Sequence, residues 1–292
     1  MDAVITYVDG RDPVWQKSYE ETTSEPILDK RFRDWGTLKY LLRGIETFMP
    51  FVKNVYLVVS GNSQVPAWVN REKLHVVLHE DFVPAPYLPV FNCNPLEMYL
   101  HRIKGLDERF LYFNDDMFPV APCTEDDFYP DGKIGIGFYK CLWHKSMYKQ
   151  ICRNSDRLAR QAAGKKKGCF FVRPQHTCTP MFKSVSEKVF VATEKQILPT
   201  LSTIRTGENL NQYLYVDYLY YMGQVSGKRI SNKHYSLALG KVDKIGAFLQ
   251  NPTHKIVCIN DVHLSQAKFE AYRQKLLAAF EKRLPVKSAF EL

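Results

Sequence analysis

Two adjacent acids, Asp115 and Asp116, follow a short apolar run that reads LYFN. Two other apolar runs also end at an acid, because VITYV leads into Asp9 and VCIN leads into Asp261. Carboxylates that meet at the ends of parallel strands repel one another unless a cation lies between them. Oxygen ligands of this kind suit Mg²⁺ or Mn²⁺, which commonly bridge to substrate phosphates. The acids therefore predict a metal site that holds a diphosphate, and an ordinary Asn-Asp-Asp turn is the alternative.

Other candidate side chains are weaker signals when each is taken alone. Glu97 and His101 are four residues apart in a predicted helix and share one face, with Arg102 adjacent. A surface ladder of charges would have the same spacing. His176 lies between two prolines in RPQHTCTP, and Arg205 lies in IRTGEN. A histidine in a loop is a candidate general base, and an arginine is a candidate phosphate ligand.

The elements that must position these residues alternate between strands and helices. Apolar runs predict strands at 4–8, 55–59, 74–78, 110–113 and 255–259. Helical spacing and end signals predict helices at 38–48, at 94–103 with Asn94 as the N-cap, at 180–191, at 208–222 and around 269–280. This order predicts an α/β fold, Rossmann-like, with a mostly parallel sheet and a helical insertion.

The 292 residues are expected to form one composite catalytic domain. Residues 1–127 would be its α/β part, which carries the predicted diphosphate site. Residues 128–250 would be an insertion and a mainly helical part that serves the acceptor and catalysis. Residues 251–292 would return to the core as a C-terminal strand and helix.

The net charge of +9 is partly concentrated at Arg153, Arg157, Arg160 and Lys165–Lys167. Such a cluster suits an anionic partner, and a solvated mobile loop is the alternative. No helix-turn-helix, RRM or zinc-finger pattern accompanies the charge, so nucleic acid is not expected. The seven cysteines include no CxxC pair, which favours reduced thiols over a disulfide framework.

Four stretches, in order along almost the whole chain, resemble the conserved regions of the Stealth proteins. DAVITYVDGRDPVW is similar to the first region. The second region is the longest and most specific, and it is similar to RFRDWGTLKYLLRGIETFMPFVKNVYLVVSG, PAWV, HEDFVP and LPVFNCNPLEMYLHRIKGLDERFLYFNDDMF. The third is similar to QHTCTPMFKSV through IRTGENLNQYLYVDYLYYMG, and the fourth to VCINDVHLS and LPVKSAFE.

This family includes bacterial capsular polysaccharide phosphotransferases and the animal enzyme that places GlcNAc-1-phosphate on lysosomal hydrolases. The resemblance implies a GT-A-like core that binds a UDP-hexose or a UDP-N-acetylhexosamine. It implies transfer of a hexose-1-phosphate to a polysaccharide or oligosaccharide hydroxyl, with release of UMP and with Mg²⁺ or Mn²⁺ as cofactor. The expected process is the synthesis of a capsular or cell-surface polysaccharide.

The resemblance also assigns roles to residues that match the family's motifs. Asp115 and Asp116 match its catalytic and metal-binding pair, and Asp261 matches the acid of its fourth region, so all three are expected metal ligands. His176 and Arg205 match the histidine and the arginine of the third region. We expect His176 to be the general base, with Asp115 as the rival, and Arg205 to bind the transferred phosphoryl group.

A further set is expected to bind the donor. Its members are Tyr7, Asp9, Gly10, Arg33, Asp34, Cys93, Asn94, Glu97, His101 and Arg102. Three positions depart from the usual pattern. Cys93 falls where the family usually has Ser, Glu97 lies in PLE where AIE is usual, and Tyr7 falls where Trp is common.

Two other functions remain open at this point. One is an ordinary metal-dependent glycosyltransferase that releases UDP, and the other is a non-catalytic protein that binds polyanions through residues 153–167. No apolar run approaches the ~20 residues of a membrane span, and MDAVITYVDG has no signal-peptide pattern. A cytoplasmic enzyme, with the basic cluster at the inner face of the membrane, is therefore expected. The sequence leaves the hexose, the acceptor and the oligomeric state open.

Overall fold

The structure, a computed structural model, describes residues 1–238 and 241–292. Its strands are β1 (Asp2–Thr6), β2 (Val55–Val59), β3 (His75–Leu78), β4 (Arg109–Asn114), β5 (Met117–Pro119), β6 (Phe138–Cys141), β7 (Phe171–Pro174), β8 (Thr179–Phe182), β9 (Asn232–Ser236) and β10 (Ile256–Asn260). Its α-helices are α1 (Pro13–Thr22), α2 (Asp29–Phe32), α3 (Leu38–Phe48), α4 (Cys93–Tyr99), α5 (Met147–Ala162), α6 (Lys183–Ile197), α7 (Tyr213–Tyr221), α8 (Val242–Gln250) and α9 (Gln266–Arg283).

The central sheet has the strand order β3-β2-β1-β4-β8. The first four strands are parallel, and β8 joins the edge as an antiparallel strand. Parallel strands covered on both faces are continuous apolar runs, and every residue of VYLVV in β2 is buried. The predicted α/β class with a mostly parallel sheet is confirmed.

A second sheet has the strand order β5-β10-β9. Only Asp115 and Asp116 separate β4 from β5, so the chain passes from one sheet to the other through the paired acids. β5 pairs antiparallel with β10, and β10 pairs parallel with β9. The antiparallel strands β6 and β7 form a separate two-stranded sheet.

Several helix boundaries differ from the sequence predictions. The helix predicted at 94–103 begins after Asn92, whose side chain accepts a hydrogen bond from the Asn94 amide, so Asn94 is not the N-cap. It ends at Tyr99 and gives way to a 3₁₀ turn over Leu100–Arg102. The helix predicted at 180–191 starts only at Lys183, because the preceding residues pair with β4 as an edge strand.

The region from 128 to 250 contains more strand than the prediction of a mainly helical insertion implied. It carries α5, α6, α7 and α8, together with β6, β7, β8 and β9. α5 packs along α7, and α8 packs against α9. The division of the chain into three parts stays a prediction. Within residues 1–238 and 241–292, no helix combines the length and the apolar character that crossing a bilayer requires.

A buried ion pair ties the C-terminus to α3. Arg43 is 4% exposed and donates two hydrogen bonds to Glu291, at 2.8 and 2.9 Å, and a third to the Leu284 carbonyl. It also reaches Glu281 at 3.1 Å, but the side chain of Glu281 is 50% exposed, whereas that of Glu291 is 5% exposed. A buried charge that loses its partner is strongly destabilising. Glu291 therefore holds the chain end in place more strongly than Glu281 does.

We expect Glu291→Ala to lower the free energy of unfolding by about 3 kcal/mol, because it leaves the Arg43 guanidinium buried without its bidentate partner. The matched control Glu281→Ala removes a half-exposed partner and should cost about 1 kcal/mol or less. Urea unfolding followed by circular dichroism measures both. Equal losses in the two variants would show that Glu291 is not the dominant partner.

The same pair predicts the direction of a pH effect. Burial alone raises the pKa of the Glu291 carboxyl, but Arg43 and Ser288 outweigh it and hold the pKa below its ordinary value. A lowered pKa contributes stability above the unfolded-state pKa, and this stability is lost as the pH falls through the folded-state pKa. The difference in stability between the wild type and Glu291→Ala should therefore shrink in acid.

Candidate functional site

A cleft of about 890 Å³ opens at the carboxyl ends of the strands of both sheets. Thr6 and Tyr7 line it from the end of β1, Asn114 from the end of β4, and Asn260 and Asp261 from the end of β10. In open α/β sheets this is the edge at which ligands bind. The cleft is therefore the candidate active site.

Strand pairing brings His176 to the paired acids. β8 runs antiparallel to β4, with Thr179 opposite Tyr112. His176 precedes Thr179 by three residues, and Asp115 follows Tyr112 by three, so the same register carries the histidine to the turn. β10 arrives from the other side, where Cys258 pairs with Met117. Residues far apart in sequence thus meet at one turn.

The paired carboxyl groups are partly buried and form no ion pair among the residues described. Burial, and after it the neighbouring Asp116, raises the pKa of Asp115 to about 8. Burial also raises the pKa of Asp116 to about 6. One oxygen of Asp116 accepts a long contact of 3.5 Å from the Cys258 thiol, and its other oxygen, Oδ1, is buried without a partner. A cation bound beside these two acids would stabilise their ionised forms, so the site favours a bound cation.

The donor atoms fit a divalent cation. One ligand atom each from Asp116, His176 and Cys258 lie within 4.8 Å of one another. Asp261 also lines the cleft, and its Oδ2 is buried without a hydrogen bond. Carboxylate oxygens suit Mg²⁺ or Mn²⁺, and imidazole and thiol are softer ligands. The orphaned oxygens of Asp116 and Asp261 are the observation that fits the expected metal.

His176 is held in place by aromatic and amide neighbours. Its Nδ1 lies 3.5 Å from the Tyr213 hydroxyl, which in turn lies 3.3 Å from the Tyr148 hydroxyl. Its backbone carbonyl accepts a hydrogen bond of 2.9 Å from Asn232 Nδ2. Burial, followed by the nearby His234, lowers the pKa of His176 to about 4. The ring is therefore neutral at pH 7 and has the capacity to accept a proton.

Arg205 forms another part of the lining, together with Cys93. One guanidinium nitrogen of Arg205 lies 2.7 Å from the Cys93 sulfur, and another lies 3.4 Å from the Asn92 side-chain oxygen. Arg205 thus has no carboxylate partner among the residues described. A serine hydroxyl in place of Cys93 would be a stronger acceptor for this arginine than a thiol is. The departure at Cys93 leaves the guanidinium available to an anionic ligand.

Glu97 holds neighbouring residues of the lining in place through hydrogen bonds. It is 2% exposed and accepts hydrogen bonds from Asn94 Nδ2, the Gln212 amide and the Tyr112 hydroxyl, at 3.1 to 3.2 Å. Burial raises the pKa of the Glu97 carboxyl despite these donors. Because the protein already satisfies both oxygens, Glu97 fixes the positions of neighbouring cleft residues.

Four more of the expected donor-binding residues line the cleft. Burial, and then the negative charge of Asp34, raises the pKa of the Tyr7 hydroxyl, so Tyr7 stays a neutral donor. Arg33 lies 3.8 Å from Asp261 and 4.6 Å from the centre of the Phe269 ring. Asp34 accepts a hydrogen bond from the Gly36 amide and contacts Arg11 at 3.4 Å. Asn94 is also part of the lining.

Four expected donor-binding residues lie outside the cleft. His101 and Arg102 lie in the 3₁₀ turn and contact Phe190 instead. The buried His101 ring has its centre 5.2 Å from that of Phe190, and the guanidinium of the exposed Arg102 is 5.0 Å from it. Asp9 binds Arg11, and the Gly10 amide bonds to the Phe32 carbonyl at 2.6 Å. The predicted shared face of Glu97 and His101 is wrong, because the helix ends between them.

Sequence reasoning missed several polar residues of the lining. They include Arg31, Arg173, Gln175 and His234. Sequence reasoning also missed Cys258, which lies behind the lining, next to Asp116. Cys258 and His234 are partners in the parallel register of β10 and β9. β9 was not predicted, since NKHYS has little apolar character and its five residues pair only with β10, at the edge of a small sheet. Arg173 and Gln175 flank His176 closely, and that proximity was the one available signal.

Comparison with known proteins shows the family. The model described as Stealth protein CR2, conserved region 2, matches residues 31–135. A capsular polysaccharide phosphotransferase, WcwK of Streptococcus pneumoniae, is 32% identical over 100% of this chain and 99% of its own length. The chain belongs to the Stealth family.

Other Stealth relatives match over the same span. The receptor polysaccharide phosphotransferase WefC of Streptococcus oralis is 31% identical over 100% of this chain and 99% of its own. The exopolysaccharide phosphotransferase cps2G of Lactiplantibacillus plantarum is 27% identical over 100% and 96%. The expectation of an enzyme of the phosphotransferase class is confirmed. Among solved structures, the galactosyltransferase LgtC with donor and acceptor sugar analogues covers 95% of this chain and 96% of its own, at 10% identity and a TM-score of 0.39.

We expect Asp116→Asn to abolish stabilisation by metal without destabilising the metal-free protein. In the wild type, Mn²⁺ at 100 times its dissociation constant should add about 2.7 kcal/mol to the free energy of unfolding. The substitution removes a buried carboxylate that has no cationic partner, so the metal-free melting temperature should stay level or rise.

Calorimetric melting with Mn²⁺ or with EDTA measures both effects. Asp126→Asn is the matched control, because Asp126 lies on the surface in an ion pair with Lys228. The control should keep the full Mn²⁺ shift. An undiminished Mn²⁺ shift in Asp116→Asn would exclude Asp116 as a metal ligand.

Proposed function

We propose that this Stealth protein transfers a hexose-1-phosphate from a UDP-sugar to a hydroxyl group of a glycan and releases UMP. One arrangement carries the proposal. The carboxyl groups of Asp115 and Asp116, which form no ion pair among the residues described, line the same cleft as the neutral imidazole of His176 and the guanidinium of Arg205. Phosphoryl transfer requires neutralisation of the phosphate charge, a positioned nucleophile and a group that accepts the proton of the nucleophile.

The donor diphosphate would lie between the acids and the arginine. Asp116 and Asp261, with Asp115, would hold Mg²⁺ or Mn²⁺, which when bound would supply positive charge to the diphosphate oxygens. Arg205 would bind the transferred phosphoryl oxygens, for which a planar guanidinium is well suited. Tyr7 is placed at the end of β1, where a ring is able to stack near the nucleotide.

The chemical step needs one proton acceptor. The acceptor oxygen attacks the β-phosphorus of the donor, and the bond from that phosphorus to the UMP oxygen breaks. His176 takes the hydroxyl proton at the ring nitrogen that Tyr213 does not occupy. The anomeric carbon keeps its bonds, so the configuration of the donor sugar is retained in the phosphodiester.

The names of the relatives suggest the process in which the reaction takes part. Two of them are named for capsular and receptor polysaccharides and one for an exopolysaccharide. We therefore place this reaction in cell-surface polysaccharide synthesis. The basic cluster at 153–167 is our reason for placing it in the cytoplasm at the inner face of the membrane. The acceptor would be a growing polysaccharide or an oligosaccharide.

The leaving nucleotide separates this reaction from ordinary glycosyl transfer. Incubation with UDP-GlcNAc, UDP-Glc or UDP-Gal and a panel of sugar acceptors, with Mg²⁺ or with EDTA, should release UMP only where Mg²⁺ is present. Chromatography separates UMP from UDP. Release of UDP would overturn the proposal in favour of a glycosyltransferase.

We expect His176→Ala to lower kcat by roughly 10²- to 10⁴-fold, the usual contribution of a positioned general base. Metal binding, measured by the Mn²⁺ shift in melting temperature, should persist in this variant. The matched control His75→Ala alters an exposed histidine on β3 and should keep full activity. Undiminished turnover in His176→Ala would move the base assignment to Asp115, and loss of the Mn²⁺ shift would make His176 a ligand.

A further inference from the structure

The positive charge of the chain is concentrated in one continuous segment. Residues 139–170 contain nine basic side chains and one acidic side chain, Asp156, whereas the whole chain has a net charge of +9. Asp156 is buried and forms an ion pair with Arg160. Among the residues described, the other eight basic side chains of this segment form no ion pair. Nearly all of the uncompensated charge therefore lies in about a tenth of the chain.

The same segment exposes apolar side chains. Twelve large apolar residues are exposed in the described part of the chain, and half of them lie between 139 and 170. The most exposed are Trp143 at 72% and Leu142 at 62%, in the loop after β6. The others are Tyr139, Met147, Tyr148 and Phe170. Contiguous exposed apolar groups mark interaction sites.

Contacts within the segment bring its basic and apolar side chains together on one surface. Lys140 on β6 lies 5.0 Å from the centre of the ring of Phe170, which immediately precedes β7. Arg153 contacts the His144 ring at 3.0 Å, and so joins α5 to the loop that carries Trp143. Arg160 donates to the Phe170 carbonyl and holds the lysine-rich loop against α5. α5 buries its other face against α7, which leaves its basic face in solvent.

We propose that this surface, residues 139–170, docks on a bilayer with anionic headgroups, with Leu142 and Trp143 inserted at the interface. Basic side chains near such a surface are attracted to it, and tryptophan is enriched at the interface between lipid and water. An exposed leucine gains free energy in the acyl boundary and has no group that recognises a sugar. The surface also lacks the exposed carboxylates that hydrogen-bond to sugar hydroxyls, so an anionic glycan fits it less well.

The surface adjoins the mouth of the cleft. Tyr139, Met147 and Tyr148 are exposed in this surface and also line the cleft. Arg31, on the other side of the mouth, reaches the Met147 sulfur at 3.9 Å. Docking would therefore turn the cleft toward the lipid, where an acceptor carried on a lipid would enter it.

Flotation with vesicles tests the docking without donor or acceptor, so its outcome is independent of the proposed reaction. Wild-type protein should bind vesicles of phosphatidylcholine with phosphatidylglycerol, more weakly at high salt, and should bind pure phosphatidylcholine poorly. The triple variant Lys165→Gln, Lys166→Gln and Lys167→Gln should bind the anionic vesicles on the order of 10- to 100-fold more weakly. Its charge-matched control, Lys53→Gln, Lys104→Gln and Lys268→Gln, changes exposed lysines elsewhere and should bind like the wild type.

A second measurement separates insertion from charge attraction alone. Lipids with brominated acyl chains should quench the fluorescence of Trp143, the most exposed tryptophan, and this quenching should disappear in Trp143→Ser. The double variant Leu142→Ser and Trp143→Ser should bind less, whereas Val191→Ser with Val286→Ser, which are 69% and 78% exposed, should not. Binding equal to wild type in both the lysine and the apolar variants would overturn the proposal. Binding without quenching, displaced by a soluble anionic polysaccharide, would overturn it in favour of a glycan surface.

Discussion

The partial burial of two adjacent carboxyl groups at one turn is the constraint on which the site depends. Asp115 and Asp116 link the central sheet to the second sheet, and both lie in a low-dielectric setting that opposes their ionisation. A protein made only for stability would place an amide or an apolar residue there, because buried charge without a partner is costly. The rest of the core, in which β1, β2 and β4 are almost fully buried, makes this local cost tolerable.

The other groups of the cleft lie around these two carboxyl groups. His176 and Cys258 approach the turn from two different sheets, through the pairing of β8 with β4 and of β10 with β5. Arg205 is held elsewhere in the lining by a thiol and an amide, neither of which neutralises it. An anionic group that bridges metal and guanidinium would satisfy both regions of the cleft. The cleft is thus electrostatically incomplete without such a ligand, which is the property expected of a preorganised site for phosphoryl transfer.

The sequence was sufficient for features that depend on local pattern, and insufficient for those that depend on pairing. Continuous apolar runs predicted β2, β4 and β10 within a residue or two, because strands buried on both faces leave no other pattern. The acids at the strand ends followed from the same runs. The helix predicted at 180–191 included residues of the edge strand β8. TPMF shows no alternation of polar and apolar residues that would indicate a strand, and only its pairing with β4 makes it one. His101 was misplaced for a similar reason, because contact with Phe190 and a 3₁₀ turn replaced the expected helical spacing.

Helix α5 of the insertion contacts the cleft on one side and faces solvent on the other. The first turn of α5 brings Tyr148 to the hydroxyl of Tyr213, which contacts His176, and the buried face of α5 packs along α7. Its solvent face carries the basic residues Lys149, Arg153 and Arg157 at intervals of four residues. A displacement of α5 would therefore move Tyr148 relative to the histidine. Because packed helices shift as units, any partner that contacts the outer face of α5 acts on an element that also shapes the site.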